Sequence, residues 1–248
     1  MTRAIEATAV SFTFPDGHQA LSACTLAVDE GERIALLGPN GAGKTTFVLH
    51  LNGVLSPASG SIAIGGLEVT RARLAEIRRR VGIVFQDPDD QLFMPTVFED
   101  VAFGPRNLAW DEHVVEAHVH RALAAVGMQD HVRRPPHHLS FGERRRIAVA
   151  TVLAMDPDVL VLDEPSSNLD PAARRELADI LTGIDITLLM VTHDLPYALE
   201  LCSRAVIMND GAIVADGAIA SILGNADLMS RNRLELPYGF DPLSAGRR

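Results

Sequence analysis

The stretch that decides the fold of this chain is Gly38-Pro39-Asn40-Gly41-Ala42-Gly43-Lys44-Thr45. It follows a short apolar segment and leads into a helical one, and it matches the pattern GxxxxGK(S/T). The glycines let the backbone wrap closely around a polyphosphate, so that successive N–H groups can point at its oxygens. The helix behind the loop adds its positive N-terminal end. The stretch therefore predicts a phosphate-binding loop, with Lys44 on the β- and γ-phosphates and the Thr45 hydroxyl on Mg²⁺.

The use of lysine supports this interpretation. Lys44 is the only lysine among the 248 residues, and arginine supplies the other strongly basic side chains. A compact ammonium group on a flexible stem suits a position between phosphate groups. The alternative is a glycine-rich turn that binds nothing, and the motifs further along the chain argue against it.

The composition is that of a globular protein, with 47% hydrophobic and 22% charged residues. A net charge of -10 disfavours binding to nucleic acid. The short runs Arg78–Arg80 and Arg144–Arg146 are expected to be solvated helix surface or partner contacts. Cys24 and Cys202 offer no disulfide framework, which indicates an intracellular chain. No apolar run approaches the roughly 20 residues that span a bilayer, so work at a membrane would need another chain.

Hydrophobic periodicity predicts an α/β fold in which strands and helices alternate. The predicted strands are Ala4–Phe14, Leu21–Val28, Arg33–Leu37, Ser61–Ile64, Val81–Phe85, Val159–Leu162, Ile186–Val191, Ala205–Met208 and Ala212–Ala215. The predicted helices are Thr45–Leu51, Arg73–Arg80, Val97–Phe103, Glu112–Val126, Gly142–Met155, Ala172–Leu181 and Leu195–Leu201.

These elements predict a mainly parallel sheet with two additions. The first two strands flank the turn Pro15–Gly17 and predict an N-terminal antiparallel β-subdomain. Residues 87–155 are mostly helical and predict an α-helical subdomain inserted between parallel strands. We therefore expect one domain over residues 4–224 and a C-terminal tail over residues 225–248, in which no element is predicted.

Two carboxylates follow the apolar strand Val159–Leu162. A strand buried on both faces delivers such groups to the sheet edge where ligands bind. Asp163 can organise Mg²⁺ through its water shell, and Glu164 can polarise an attacking water. An Asp-Glu pair after a strand is often only a turn or a helix cap, but its place downstream of a phosphate loop favours the catalytic interpretation.

Three further side chains stand where a phosphate site could use them. Gln86 follows a strand, and its amide can contact both Mg²⁺ and water. His193 also follows a strand, and its imidazole could donate to the γ-phosphate. Ser140 opens a helix, which it can cap, and the exposed N–H groups there make a second anion site. Each of these residues alone also has a plain structural interpretation.

Taken in their order along the chain, the motifs resemble those of the ATP-binding subunits of ABC transporters, over about Ile5 to Leu223. The resemblance implies a P-loop NTPase fold that binds ATP and Mg²⁺. It places Phe14 against adenine and Thr46 in the phosphate loop, with Thr45, Gln86 and Asp163 on Mg²⁺. The matching motifs are Gly38–Thr46, Gln86, Leu139–Glu143, Val159–Asp163 with Glu164, Ser167–Asp170, and His193.

The resemblance also implies a head-to-tail dimer. Ser140 and Gly142 of one subunit would contact the ATP bound by the other, and Asp170 would lie at the same interface. The chain departs from the common motif LSGGQ at Phe141 and Glu143. Phe141 could pack against the partner subunit or fill a gap in its own.

A narrower resemblance concerns the segment from Phe85 to Pro105, which is similar to that of the ATPases of energy-coupling-factor importers. It implies that integral membrane subunits contact the region Gln86–Pro105, at the cytoplasmic face of a prokaryotic membrane. The segments Leu139–Glu143, Glu164–Asp170 and Leu234–Pro237 look most like the cobalt/nickel branch. Cobalt is therefore the expected cargo, with nickel or a vitamin such as biotin as the alternatives.

Other interpretations are less well supported by the sequence. A non-transport ABC ATPase acting on DNA or ribosomes usually adds a coiled coil, zinc modules or a second ATPase domain, and none is visible here. A GTPase would need a second lysine in its guanine-reading motif, and a small kinase would leave Ser140 and His193 unexplained. The histidines of 112–126 lack a complete ligand set, so Mg²⁺ is the only metal expected.

Overall fold

The computed structural model describes residues 2–245 and contains two sheets. Its strands are β1 Arg3–Thr13, β2 Gln19–Asp29, β3 Arg33–Leu37, β4 Ser59–Ile64, β5 Leu67–Glu68, β6 Val81–Val84, β7 Val159–Asp163, β8 Thr187–Val191, β9 Arg204–Asn209 and β10 Ala212–Ala218. Its α-helices are α1 Lys44–Leu51, α2 Leu74–Arg80, α3 Val97–Asn107, α4 Glu112–Ala125, α5 Phe141–Leu153, α6 Pro171–Thr182, α7 Leu195–Leu201, α8 Ile219–Leu223, α9 Ala226–Arg231 and α10 Pro242–Ala245.

The larger sheet has the strand order β10-β9-β3-β8-β7-β6 and is parallel except for the β9–β10 hairpin. Alternate side chains of its strands enter two separate cores. In β3, Ala35 and Leu37 join the core on one face, and Ile34 and Leu36 join the core on the other. Because both faces are covered, β3, β7 and β8 are almost wholly apolar, as the buried runs in the sequence predict.

The smaller sheet is antiparallel, with the order β2-β1-β4-β5. It contains the predicted N-terminal hairpin and adds β4 to it. Irregular pairing of β1 with β2 between Ala7 and Val10 accompanies a left-handed backbone at Ala9, with φ 48°. This sheet covers the core that lies beneath α1.

The predicted helical insertion lies between β6 and β7, which are neighbours in the sheet. There α3, α4 and α5 pack against one another, and Val115, Val119 and Leu123 of α4 are fully buried, as their spacing predicts. The predicted fold class is confirmed: a mainly parallel core, an antiparallel N-terminal subdomain and inserted helices.

Several predicted boundaries are wrong. The strand β6 ends at Val84, so Phe85 lies outside it and is 39% exposed, and Ile186 precedes β8. The predicted helix Arg73–Arg80 begins at Leu74, after a 3₁₀ turn. The tail, where no element is predicted, contains α9 and α10 within the described residues. Short elements like these carry too few periods to be recognised from a pattern.

No helix in the described range 2–245 is long and apolar enough to cross a membrane.

Candidate nucleotide site

The loop between β3 and α1 has the shape that a phosphate cradle requires. Gly38 and Gly43 have φ values of 150° and 98°. A Cβ at Gly38 would lie 2.1 Å from the carbonyl oxygen of Met208, and one at Gly43 would lie 2.4 Å from that of Ala20. The backbone therefore needs glycine at both positions, because the neighbouring strands leave no space for a side chain there.

The side chain of Lys44 lies across this loop. Its Nζ donates to the carbonyl oxygens of Gly38 and Pro39 at 2.8 and 2.9 Å. Burial lowers the pKa of Lys44, and the carboxylates of Glu164 and Asp163 act in the opposite direction. The ammonium group is thus held at the loop and faces the two carboxylates at the end of β7.

A cavity of about 250 Å³ opens above the loop. It brings together residues that are far apart in the sequence, because the carboxyl ends of neighbouring parallel strands meet at one sheet edge. Its lining contains most of the predicted site: Phe14, Asn40, Gly41, Ala42, Gly43, Lys44, Thr45, Thr46, Gln86, Asp163 and Glu164, together with His18, Ala20 and Val191.

Asp163 and Thr45 face each other across this cavity, with Oγ1 of Thr45 3.5 Å from Oδ2 of Asp163. Burial raises the pKa of Asp163, and the neighbouring charge of Glu164 raises it further. A partly desolvated carboxylate beside a hydroxyl is a favourable setting for a hard divalent cation, which would neutralise that charge.

The donor set fits Mg²⁺ in particular. The described residues contain no group of three or more His, Cys, Asp or Glu side chains that could hold a metal by themselves. Mg²⁺ is commonly held by only one or two carboxylates, with phosphate, water and other oxygen ligands completing its shell. Thr45, Asp163 and Gln86 in the cavity lining meet that requirement.

Glu164 is held by several contacts. Its backbone is left-handed, with φ 48°, and its N–H donates to the carbonyl of Val191 at 2.8 Å. Its Oε2 accepts from the Thr192 hydroxyl at 3.1 Å and from the His193 N–H at 3.2 Å, and lies 2.8 Å from Nδ1 of His193. The imidazole of His193, whose side chain is 73% exposed, therefore contacts Glu164. The motifs in the sequence did not single out Thr192.

Ser140, Gly142 and Asp170, which the resemblance places at a dimer interface, form a second group outside the cavity lining, and Ser140 and Gly142 are called the clamp below. The hydroxyl of Ser140 accepts from the N–H of Glu143, whose carboxylate in turn accepts from the N–H of Ser140 at 2.7 Å. This reciprocal pair is a capping box, and it confirms that Ser140 caps a helix. Asp170 caps α6 by accepting from Ala172 and Ala173 at 2.8 and 3.0 Å.

Gly142 lies where these two helix starts meet, and a Cβ there would come within 2.8 Å of the Ala173 side chain. Ser140, Gly142 and Asp170 therefore share one surface, and the structure does not bring them to the cavity of the same chain. Phe141 packs within its own chain, since the guanidinium carbons of Arg144 and Arg145 lie 5.8 and 5.5 Å from its ring centre.

The buried position of Arg145 contradicts a prediction from the sequence. Its run was predicted to be solvated surface or a partner contact, but Arg145 is 0% exposed and contacts the backbone of Phe85 and Gln86. Helical periodicity could have placed it on the buried face with Ala148, but its charge argued for the surface. Phe14 lines the cavity, with its ring beside those of Phe12 and His18, and its stacking on adenine stays a prediction.

Comparisons with known proteins agree with this geometry. The family model described as ABC transporter matches residues 21–167. A protein of Streptomyces coelicolor named as an ABC transporter ATP-binding protein is 65% identical, over 97% of this chain and 92% of its own. The energy-coupling factor transporter ATP-binding protein EcfA of Methanothermobacter thermautotrophicus is 45% identical, over 97% of this chain and 79% of its own.

A solved structure is also similar. It is that of cbiO1 from Clostridium perfringens, described as part of the ABC transporter complex cbiONQ. It has a TM-score of 0.83 and 33% sequence identity, and the match covers 96% of this chain and 97% of the other. With the phosphate loop, the paired carboxylates and the matching family model, the chain belongs to the ABC transporter family and is one of its ATP-hydrolysing, ATP-binding subunits.

Proposed function

We propose that this chain is the ATPase subunit of an energy-coupling-factor importer and that it drives uptake of a transition-metal ion, cobalt. The observation that carries the ATP-driven part of this proposal is the division of the site into two separate groups on one chain. The cavity contains Lys44, Asp163 and Glu164, and the clamp of Ser140 and Gly142 lies on another surface. Two copies arranged head to tail would complete both sites at once.

Within the cavity, the loop residues 38–46 bind the phosphates of ATP, and Phe14 stacks on adenine. Thr45, Asp163 and Gln86 would hold Mg²⁺, which when bound supplies positive charge against the phosphate oxygens. Glu164 accepts a proton from the attacking water. Thr192 and His193 hold its carboxylate in place, and the His193 imidazole would also donate to the γ-phosphate.

In the dimer, Ser140 and Gly142 present the N-terminus of α5 to the γ-phosphate bound by the partner. Asp170 at the start of α6 lies beside them on the same surface. Binding of ATP closes the dimer and hydrolysis opens it, so that the cycle of closure performs the mechanical work.

A groove beside the cavity supports contact with membrane subunits. It has a volume of about 570 Å³, and its walls include Phe85, Phe93 and Phe103, which are 39%, 62% and 41% exposed. The rings of Phe93 and Phe103 meet edge to face at 5.0 Å. Large exposed aromatic side chains that cluster around a groove mark an interaction site. Part of its lining belongs to the region Gln86–Pro105, for which the resemblance implies contact with the membrane partners: Asp90, Gln91, Phe93, Asp100, Phe103 and Gly104.

The proposal that cobalt is the cargo rests on two observations. The EcfA relative supports an importer of the energy-coupling-factor type. The resemblance of Leu139–Glu143 and Glu164–Asp170 to the cobalt/nickel branch supports cobalt. Nickel or a vitamin such as biotin would use the same ATPase, since the cavity above the phosphate loop binds only the nucleotide.

Hydrolysis is tested with Glu164→Gln, which keeps the size of the side chain and removes its basicity. We expect ATP to bind, turnover to fall by roughly a hundredfold or more, and an ATP-bound dimer to accumulate in size-exclusion chromatography. Glu116→Gln, an exposed position on α4, is the matched control and should hydrolyse normally. Undiminished hydrolysis by Glu164→Gln would remove Glu164 from the role of base.

The cargo is tested in cells from which the gene has been deleted. Wild-type protein should restore accumulation of Co²⁺. Glu164→Gln should not, because without hydrolysis the ATP-bound dimer cannot reopen. Accumulation of Ni²⁺ and of biotin is measured in parallel. Restoration of nickel or biotin uptake alone would replace cobalt by that cargo, and restoration of none of the three would refute cobalt and both of these alternatives.

The groove is tested with Phe103→Glu, which places a charge among the exposed aromatic rings. We expect this variant to bind ATP but to lose its membrane subunits when purified from detergent-solubilised membranes. The control is Val214→Glu on β10, which changes a residue of 48% exposure elsewhere. Equal recovery of the membrane subunits with both variants would contradict the assignment of the groove.

A further inference from the structure

Arg145 is a fully buried arginine whose hydrogen bonds go to backbone carbonyls. It lies in the second turn of α5 and is 0% exposed. Its Nη1 donates to the carbonyl oxygen of Phe85 at 2.6 Å, and its Nη2 donates to that of Gln86. These are consecutive carbonyls in the segment that leads from β6 into the nucleotide cavity.

Burial of this charge is costly. A guanidinium removed from water destabilises the fold unless its donors are satisfied, and the Nε of Arg145 has no partner among the described residues. Burial lowers the pKa of Arg145, and the charges of Asp87 and Asp163 offset part of that effect. A hydrophobic residue would fill the space at lower cost, which indicates that the guanidinium is present for the groups that it holds.

The planar fork of arginine suits this position. Two parallel N–H groups can reach two successive carbonyls, whereas the ammonium of lysine is a point donor. The ring of Phe141 supports the plane, with its centre 5.5 Å from the guanidinium carbon. Phe141, which replaces a glycine of the common motif, thus helps to orient Arg145.

Other contacts tie the same segment to α5. The amide of Gln91 accepts from the N–H of Phe85 at 3.1 Å and donates to the carbonyl of Ala148 at 2.8 Å. The carboxylate of Asp89 lies 3.0 Å from Nε of Arg144. The segment from Phe85 to Gln91 is therefore fastened to α5 at both ends, and Arg145 holds the end nearest the cavity.

We propose that Arg145 is a positioning residue for Gln86. By holding the carbonyls of Phe85 and Gln86, it sets the direction in which the Gln86 side chain enters the cavity. It also ties that direction to α5, whose N-terminus carries Ser140 and Gly142. The inference rests on the proposed function of Gln86 as a contact of Mg²⁺ and water, and it adds the group that holds Gln86 there.

The test compares Arg145→Gln with Arg146→Gln in the full-length chain. Arg146 is adjacent on the same helix, but its side chain forms an ion pair with Glu176 at 3.6 Å. For Arg145→Gln we expect kcat to fall about tenfold, while the Kd for ATP changes less than about twofold. The Mg²⁺ concentration for half-maximal activity should rise. Arg146→Gln should match the wild type in all three quantities.

A role confined to stability would lower the melting temperature and leave kcat of the folded protein unchanged, and that outcome would overturn the proposal. If Arg145→Gln does not fold, Arg145→Lys is used, which keeps the positive charge but lacks the planar fork that reaches both carbonyls. It should lose kcat by about threefold with unchanged ATP affinity. Normal kcat and normal Mg²⁺ dependence in Arg145→Lys would also overturn the proposal.

The partner residue separates this proposal from the one on which it rests. In a Gln86→Ala background, Arg145→Gln should lower kcat by less than about twofold further, because the group it positions is gone. If the fold-loss of kcat in the double variant equals the product of the losses in the two single variants, Arg145 acts on a group other than Gln86. If Gln86→Ala alone has normal kcat, the proposed contact of Gln86 with Mg²⁺ and water is refuted. The positioning role of Arg145 is then refuted as well. If only Gln86→Ala is impaired, the positioning role alone is refuted.

Discussion

Glu164 shows at the scale of one residue how the fold supports chemistry. A left-handed backbone costs a non-glycine residue on the order of 1–3 kcal/mol, and it persists only where the surroundings impose it. Here the N–H of Glu164 is bound to Val191, and its carboxylate to Thr192 and His193. These contacts come from the neighbouring strand β8 and the residues after it. The conformation directs the carboxylate into the cavity.

The first prediction concerns Lys44. Lys44→Ala removes the ammonium group that the loop holds among its own carbonyls, and no other lysine exists to replace it. We expect ATP affinity to fall by about a hundredfold or more, because charge-assisted contacts to phosphate are lost. Isothermal titration measures this. Nucleotide affinity close to that of the wild type would contradict the assignment of the loop.

The second prediction concerns Asp163 and pH. Because burial and then the charge of Glu164 raise its pKa above the unfolded value, the ionised group destabilises the folded protein. This cost is present above the raised pKa and is relieved as the pH falls through it. We therefore expect Asp163→Asn to melt at a higher temperature than the wild type at neutral pH, without nucleotide, while losing hydrolysis.

Calorimetry across pH checks the sign of this effect. The advantage of Asp163→Asn should shrink as the pH falls towards the acid range, because the wild-type carboxyl then becomes neutral as well. A stability difference that stays constant with pH would show that packing, and not charge, distinguishes the two proteins.

At the scale of one element, the start of α5 combines a structural and a functional task. Glu143 stands where related motifs have glutamine, and it completes the capping box with Ser140. The hydrogen bonds from Ser140 lower the pKa of Glu143, so the carboxylate is charged at neutral pH. A negative charge in the first turn also suits the helix dipole.

The third prediction follows from this cap. Glu143→Ala should lower the free energy of unfolding by about 1 kcal/mol, because it leaves the N–H of Ser140 without its partner. Glu143→Gln should retain most of that stability, because glutamine can still accept the bond. Chemical denaturation measures both variants. Equal stability of Glu143→Ala and the wild type would show that the cap contributes nothing.

The fourth prediction tests the clamp that the same helix presents. Ser140→Arg places a bulky charge at the proposed dimer surface while leaving the nucleotide cavity intact. We expect monomers to bind ATP with wild-type affinity but to fail to dimerise, as measured by analytical ultracentrifugation of the Glu164→Gln protein with and without this change. A dimer of unchanged stability would refute a clamp that acts on the partner's ATP.

At the scale of the whole molecule, the C-terminal segment reaches back to the phosphate loop. The side-chain amide of Asn209 donates to Oδ1 of Asn232 at 3.1 Å, and Asn232 itself is only 5% exposed. Asn209 begins the turn between β9 and β10, in which the N–H of Gly211 donates to the carbonyl of Ala42 at 3.1 Å. The C-terminal segment therefore contacts the β9–β10 hairpin, which in turn contacts the phosphate loop.

The fifth prediction is that Asn232→Ala destabilises the protein by about 1 kcal/mol, because it removes a buried side chain that is hydrogen-bonded to Asn209 and to the carbonyl of Leu228. The exposed Asn107 on α3 gives the control Asn107→Ala, which should change stability by less than about 0.5 kcal/mol. Denaturant midpoints measure the difference. Equal midpoints for the two variants would show that the tail is not anchored through Asn232.

The sequence by itself determined the fold class, the phosphate loop and the carboxylates after β7. These follow from local rules, since a glycine pattern, a strand buried on both faces and a helix cap are each written in consecutive residues. Gln86 and Phe14 were also identified by their positions in ordered motifs. The short helices of the tail were not, because α9 and α10 depend on caps and packing more than on periodicity.

Only the tertiary structure decided how the site is supported. The sequence predicts Arg145 on the surface. It lies buried because two carbonyl oxygens some 60 residues away in the sequence accept hydrogen bonds from its guanidinium. The support of Glu164 by Thr192, and the tie between Asn209 and Asn232, likewise join distant segments. A local pattern records the preferences of neighbours in the chain, whereas burial of a charge is favourable only when remote groups satisfy it.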